Sequence, residues 1–600
     1  MSYQAPVKDM LFVLEHLAGL SKLSQLSDLE DYGLDTAQAV LEECAKFNEQ
    51  VIAPLNRDGD TNPSSWKDGV VTTTPGFKEA YKQFCEGGWQ GLAHPVDYGG
   101  QGFPKSIATA CNEMLHSSNL SFALCPMLTD GAIEALLTAG SKELKATYLE
   151  KLVSGQWSGT MNLTEPQAGS DLAAVRSRAE PQGDGTYKVF GTKIFITYGE
   201  HDMAENIIHL VLARVPGAPD GVKGISLFVV PKFMVNADGS LGERNDVHCV
   251  SIEHKLGIKA SPTAVLQYGD HGGAVGYLVG EENRGLEYMF IMMNAARFNV
   301  GLQGYAISDR AYQQAVGYAR DRVQSRPVDG SAKTGVAIVQ HPDVKRMLLT
   351  MRALTEGCRA VALVGAAADD HAHHNPDATE AAHQRALYDY LVPIIKGFST
   401  EIANEVTSLG VQVHGGMGFI EETGAAQLYR DARILAIYEG TTAIQANDFV
   451  GRKTLRDGGA VAKAVCRMIS ETEQDLIAHG DADSAAMQRA LSAARLEYEK
   501  AIDFVLEHGK ASPNTVYTSA VNFLKLASYV VVGWQFARSL MVAVERRTED
   551  PAFYGAKITT ARFFAESLLP QVTALGAVVC RWRNCRCHGP GIVLNDGCPT

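Results

Sequence analysis

None of the common nucleotide and hydrolase signatures occurs in this 600-residue chain: there is no G-x-G-x-x-G, no Walker phosphate loop, no H-E-x-x-H and no G-x-S-x-G. A dinucleotide, if bound, is held without the usual glycine fingerprint. Basic charge is also in short supply. Lys and Arg number 54 against 68 Asp and Glu, a net charge of −14, which argues against nucleic acid, whose phosphates must be met by lysine and arginine. No apolar run approaches ~20 residues, which argues against a membrane span. Near the N-terminus, Lys8, Asp9 and Glu15 interrupt the apolar pattern, so this stretch reads as an amphipathic helix and not as a secretory signal.

Paired cysteines are missing as well. Seven of the 11 are scattered singly through the first 466 residues, as expected of reduced thiols in a cytoplasmic protein. The other four, Cys580, Cys585, Cys587 and Cys598, crowd with His588 into the last 21 residues, yet form no C-x-x-C pair of the kind zinc sites use. The composition of that tail breaks sharply from the helix before it. It reads as an extraneous, frame-shifted end and is expected to be disordered. The run "DDHAHHNPD", 369 to 377, reads as a solvated connector between helices, and no metal site is assigned.

What is present is an ordinary globular composition, 46% apolar and 20% charged, on a chain long enough for three or four domains. The texture gives an α+β multidomain order. Residues 1–157 repeat apolar positions three and four apart and predict an N-terminal helical domain. Residues 158–278 are short, β-rich and punctuated by glycine, with alternation in "YKVFGTKIFIT" and a hairpin turn at "GDG", and predict a central antiparallel β-domain. Residues 279–455 carry four long amphipathic stretches, the last interrupted around Glu439–Thr442, and predict a four-helix bundle. Residues 456–577 predict an extra C-terminal helical domain, and 578–600 the atypical tail.

Three stretches carry chemistry. "MNLTEPQAGSDLAAV", 161 to 175, lies where helix gives way to strand and offers hydroxyls and backbone N–H groups in a loop stiffened by Pro166. Taken alone, it fits a plain N-capped turn better, with Ser170 or Asp171 capping. "GVQVHGGMGFIEE" supplies Gln412 and a glycine-dense turn, and "ILAIYEGTTAIQ" ends an apolar segment on Glu439. By itself Glu439 reads as an exposed helix-terminal acid.

Together with "KIFITYG", in this order and spacing, these stretches resemble the acyl-CoA dehydrogenase family over roughly residues 35 to 455. The whole chain is similar to a large subgroup with an added C-terminal helical domain, which includes bacterial fatty-acyl-CoA and 3-methylmercaptopropionyl-CoA dehydrogenases. The resemblance implies a non-covalent FAD. It places Met161, Leu163, Thr164, Ser170, Phe195, Ile196, Thr197 and Thr441 at the flavin, with Phe195 where the family usually has tryptophan. It implies that Arg322, Gln412, Gly415 and Gly416 hold the ADP half of a neighbouring subunit's FAD, hence a homodimer or higher homo-oligomer. Ser170, Asn294, Arg297 and Gly440 are implied in acyl-CoA binding; Asn294 stands where an aspartate is usual, and His341-Pro342 where the family has His-Gln.

The resemblance makes Glu439 the catalytic base. Burial beside Ile437, Tyr438 and an acyl chain would raise its carboxyl, matching it to the weakly acidic α-carbon of a thioester. The implied reaction is FAD-dependent α,β-dehydrogenation of acyl-CoA to trans-2-enoyl-CoA, the first step of fatty-acid β-oxidation, with electrons passed to an electron-transfer flavoprotein. Alternatives are 3-methylmercaptopropionyl-CoA as substrate, or an acyl-CoA oxidase using oxygen. A DNA-associated, dehydrogenase-like protein is opposed by the nearly neutral C-terminal region, and a catalytically inert acyl-CoA-binding protein by the intact Glu439.

Overall fold

The structure is a computed structural model that describes residues 3–581, the side chains at 291 and 292 excepted. The chain folds into two compact units, each assembled from separated stretches.

The first unit is formed chiefly by Val40–Asn299 together with Ala426–Asp431. After α1 (Val7–His16) and α2 (Leu34–Phe47), its helices are α3 (Phe77–Glu86), α4 (Lys105–Ser118), α5 (Leu120–Ala139) and α6 (Lys142–Val153). Its strands are β1 (Trp157–Asn162), β2 (Arg178–Pro181), β3 (Tyr187–Thr197), β4 (Asn206–Ala213), β5 (Ser226–Pro231), β6 (Val247–Ile252), β7 (Thr263–Tyr268) and β8 (Ala274–Leu278). They form an eight-stranded sheet in the order β6-β7-β3-β8-β5-β4-β1, with β2 on β3. The sheet is antiparallel except that β1 runs parallel to β4, with Trp157 opposite Asn206. The predicted "GDG" turn does join β2 to β3. β1, β4 and β5 are buried at every position, as expected of strands covered on both faces. Helix α5 lies directly on β1: a Cβ at Gly159 would stand 2.4 Å from the Ala132 Cβ, so only glycine allows this approach.

The late segment Ala426–Asp431 completes this unit. Arg430 makes a two-pronged ion pair with Asp60, Nη1 lying 2.8 Å from Oδ1. The Asp431 carboxylate accepts the backbone N–H of Ile258, a β-branched residue held at φ +45°. Burial pushes the Asp431 carboxyl up to about 6 despite that bond.

Among the described residues, the second unit comprises Pro6–Ala39, Val300–Ala425 and Ala432–Arg581. It contains most of α7 (Gly285–Asp321), then α8 (Pro342–His374), α9 (Ala378–His414), the end of α10 (Ala425–Ala432), α11 (Thr442–Val450), α12 (Ala460–His479), α13 (Ala482–His508), α14 (Ala520–Glu545), α15 (Pro551–Phe563) and α16 (Gln571–Arg581). Helix α7 presses against α9 at two glycines one turn apart. A Cβ at Gly301 would lie 2.6 Å from the Ile395 carbonyl oxygen, and one at Gly304 2.4 Å from that of Ser399. The N-terminal amphipathic helix forms as expected, and Asp9 on it meets the buried Arg359 at 2.6 Å and also Lys557.

Two expectations need correction. The "DDHAHH" residues are the last turns of α8, not a connector, and Asp369 and Asp370 are buried, Asp369 pairing with Arg385 at 2.6 Å. Also, three segments, Leu120–Ala139, Ala520–Glu545 and Pro551–Arg581, are long and apolar enough to cross a membrane by length and composition. In the first two, interspersed small and polar residues hide the length of the apolar stretch, and most of each is buried inside the protein. Helix α16 runs through Cys580 to Arg581; Cys585, Cys587, His588 and Cys598 lie outside the described residues.

Candidate active site

In the first unit, β1 delivers the "LTEPQAGS" loop. Met161 is buried, Leu163 and Thr164 are half-buried, and Ser170 is exposed. The loop is pinned from beneath by a buried ion pair. Glu165 Oε1 lies 2.8 Å from Lys193 Nζ and accepts from Ser177 Oγ at 2.6 Å, while Oε2 accepts the Arg176 N–H at 2.8 Å. Lys193 Nζ also donates to the Leu163 carbonyl at 3.1 Å. Burial alone would raise the Glu165 carboxyl, but the Lys193 charge and these bonds outweigh it and hold it at about 2. Burial likewise pulls the Lys193 ammonium down to about 8 against the attraction of Glu165. The two shifts pull opposite ways on the pair. The geometry, with both side chains almost solvent-free and each hydrogen-bonded to neighbours as well as to the other, favours the charged pair. Asp171 caps the short turn that follows, accepting the Ala173 N–H at 2.9 Å, as its type suits.

The facing strand bends at the same level. Between Lys193, opposite Leu266, and Ile196, opposite Ala264, β3 carries one extra residue, a bulge. Phe195 sits on it at φ +60° and is 58% exposed; Ile196 turns inward and Thr197 is half-buried. Ile194 N–H donates to the Thr164 carbonyl at 2.9 Å, so loop and bulge form one body. Behind β1 runs a buried polar chain: Tyr268 Oη to Asn162 Oδ1 (2.9 Å), Asn162 Nδ2 to Thr160 Oγ1 (2.8 Å), and Thr160 Oγ1 against His209 Nδ1 (2.7 Å). Burial first, then nearby cations, push His209 down to about 3, so it is a neutral partner. On α7, Arg297 is buried and Asn294, one turn earlier, is exposed.

In the second unit, a 3-10 turn over Arg433–Ala436 buries Leu435 and Ala436 and carries the chain to Glu439. Glu439 adopts φ +52° and Gly440 φ +88°. A left-handed glutamate is strained, and such strain persists only where surroundings enforce it. The enforcement comes from Lys396 on α9. Its buried ammonium donates to the carbonyls of Leu435 (3.0 Å) and Gly440 (2.6 Å), clamping both ends of the turn. Gln445 Nε2 adds a bond to the Gly440 carbonyl at 3.3 Å, and Thr441 caps α11 by accepting the Ile444 N–H. Tyr438 donates to Gln303 Oε1 at 2.5 Å; burial, and secondarily the Glu439 charge, push its phenol well above its usual range. Glu439 is half-buried. Ile437 is 48% exposed, while the 3-10 turn before it aims Leu435 and Ala436 inward.

Arg322, Gln412, Gly415 and Gly416 are all exposed. The ends of α7 and α9 that bear them are joined by Tyr318 stacked on His414, centroids 4.4 Å apart. No atom lies within 4 Å of a Cβ built on Gly415 or Gly416, and Met417, Phe419 and Ile420 beside them are exposed. His341 is used structurally, its Nε2 2.8 Å from the Gln324 carbonyl, and Pro342 starts α8. Sequence reading missed Glu165, Lys193, Lys396, Gln303 and the chain from Tyr268 to His209, although Glu165 lies within "TEPQAGSD" and Lys193 begins "KIFITYG".

Residues 35–156, 160–270 and 283–453 match the N-terminal, middle and C-terminal domains of acyl-CoA dehydrogenases, and 465–584 match the description "Acetyl-CoA dehydrogenase C-terminal like". The chain belongs to the acyl-CoA dehydrogenase family, FAD-using oxidoreductases that act on a CH–CH bond of acyl-CoA. Among its relatives, it is 54% identical to the 3-methylmercaptopropionyl-CoA dehydrogenase of Ruegeria pomeroyi over 96% of this chain and 97% of that protein. It is 35% identical to a broad-specificity linear acyl-CoA dehydrogenase of Mycobacterium tuberculosis, again over 96% and 97%. A Bacillus anthracis acyl-CoA dehydrogenase solved with FAD superposes at TM-score 0.74 over 93% of this chain and 90% of that one, at 20% identity, a likeness of fold.

Proposed function

We propose that the protein oxidises 3-methylmercaptopropionyl-CoA to the corresponding enoyl thioester, with Glu439 as the base, and passes the electrons to an electron-transfer flavoprotein. The observation that carries the catalytic part is the left-handed turn at Glu439, clamped through its carbonyls by Lys396. The preference over a straight-chain fatty acyl substrate rests on the 54% identity to the Ruegeria enzyme against 35% to the linear acyl-CoA dehydrogenase.

The residues fit a flavin. A phenyl ring held out in a strained bulge, beside Thr164 and Thr197, suits a planar apolar ring with polar edges, and the open glycines Gly415 and Gly416 suit close approach of a cofactor backbone. Phe195, Thr164 and Thr197 would hold the ring; Arg322, Gln412, Gly415 and Gly416 would hold the ADP half of a second copy's FAD. When bound, FAD supplies the acceptor for the β-hydride. The chain's own part is the proton. Glu439 takes the α-proton into its carboxylate, and its backbone N–H donates to the thioester carbonyl as charge develops there. Tyr438, kept neutral by burial, bonds Gln303 and so adds no second negative charge beside the base.

The test is anaerobic flavin bleaching across a series of acyl-CoAs that includes the methylthio compound. We expect the methylthio thioester to bleach the flavin fastest. A straight-chain substrate bleaching faster would return the assignment to fatty-acid oxidation, and no bleaching by any thioester would remove the catalytic reading altogether.

A further inference from the structure

Outside every group used above, Asp246, His248 and His271 converge at the rim of the eight-stranded sheet. Asp246 directly precedes β6, the edge strand; His248 lies within it; His271 sits in the turn between β7 and β8. The Asp246 carboxylate is fixed by the backbone: Oδ2 accepts the N–H of His271 at 2.7 Å and of Gly273 at 3.0 Å. That leaves Oδ1 facing both imidazoles, 3.2 Å from His271 Nδ1 and 3.4 Å from His248 Nε2.

The spacing fits a metal. Bonds of ~2.0–2.1 Å in a tetrahedral zinc site put neighbouring ligand atoms ~3.3 Å apart. Both carboxylate–imidazole separations match this, and all three ligand atoms lie within 4.8 Å of one another. Two imidazoles with one carboxylate suit zinc-like ions; calcium and magnesium want an all-oxygen shell. The two backbone bonds to Oδ2 are the outer support that orients a metal-binding carboxylate. The His271 side chain is 74% exposed, so an ion enters from solvent and keeps water in its remaining positions.

We infer that Asp246, His248 and His271 bind one divalent transition ion of the zinc class, pinning edge strand β6 to the β7–β8 turn. The ion would staple the sheet's open edge, the place where pairing is otherwise weakest.

The probe is Co2+, titrated into the full-length, FAD-loaded protein at neutral pH. The expected result is one ion per chain with visible d–d absorption and no thiolate charge-transfer band. His271→Ala and His248→Ala should each weaken binding by roughly 10–100-fold or more, while FAD content stays unchanged. Zinc should also raise the melting temperature of the wild type and not of either variant, since an ion bound only by the folded state stabilises it. His271→Gln, which keeps a polar side chain in the turn, serves if either alanine variant misfolds. A thiolate band would move the site to the cysteines of the tail. Uptake equal in wild type and variants, or no uptake at millimolar Co2+, would overturn the inference.

Discussion

Lys396 Nζ lies 2.6 Å from the Gly440 carbonyl oxygen, so a buried cation on α9 holds the far end of the turn on which Glu439 stands. Helix α9 is itself seated by the glycine contacts from α7, at Ile395 and Ser399 on either side of this lysine. The direction in which Glu439 points is thus set by helix packing, one step removed from its own backbone.

Replacing Glu439 by glutamine should leave acyl-CoA binding intact and slow anaerobic flavin bleaching by about 10²–10⁴-fold, the usual worth of a general base. Stopped-flow absorbance measures it. Bleaching at the wild-type rate in the variant would place the base elsewhere.

Lys396→Met should be harmful in two separable ways. The buried Leu435 carbonyl loses this donor and the Gly440 carbonyl keeps only Gln445, a loss of about 1–3 kcal/mol that urea unfolding will register. The released turn should also slow single-turnover flavin reduction while FAD content stays normal. Loss of stability with an unchanged reduction rate would mean that the lysine is a scaffold residue only.

For Phe195→Gly the two readouts should diverge. Glycine accepts φ +60° freely, so relief of backbone strain should offset part of the cost of losing the ring, leaving stability within about 1 kcal/mol of wild type. FAD should nevertheless dissociate more readily, as followed by flavin fluorescence on dilution. Retention of FAD at wild-type affinity would show that the exposed ring has some other purpose.

His94 offers a pH test. It is buried 2.9 Å from Asp130 and 3.6 Å from Glu134. Burial lowers its pKa, but the bonds and charges of the two acids dominate and raise it from 6.5 to about 9. A histidine raised in the folded state binds its proton more tightly there than in the unfolded chain. The stabilisation is complete below about pH 6.5 and disappears as pH climbs through about 9. Burial also raises the Asp130 carboxyl, so at the acidic end the pair loses its charge sooner than an exposed aspartate would. His94→Asn should flatten the alkaline decline in unfolding free energy between those limits; an unchanged slope would assign the decline to other groups.

How far the sequence could be read follows from how far apart the cooperating residues are. "TEPQAGSD", "HGGMGF" and "YEGTTAIQ" are local runs, and the turn at Glu439 was visible as an interruption in a helical pattern. The helical and β regions also announced themselves through periods of 3.6 and 2. The parallel pairing of β1 with β4 was invisible, because strand direction depends on the excursion through β2 and β3 between them. Lys193 reaches Glu165 from another strand, and Lys396 reaches Gly440 from another helix. Nothing in the local sequence of either lysine names its distant partner. The Asp246–His248–His271 cluster escaped for the same reason, since the turn that brings His271 back to β6 leaves no spacing motif.

The pairing of Arg430 with Asp60 has a bearing on biosynthesis. A ribosome emits Asp60 early and the matching guanidinium only after some hundreds more residues. Until then Asp60 has only Lys259 and the more distant Arg57 to pair with, and the Ile258 amide lacks its carboxylate acceptor. Any premature stop before that point releases a polypeptide whose first body is left open, a form that chaperones and proteases would meet before substrate does.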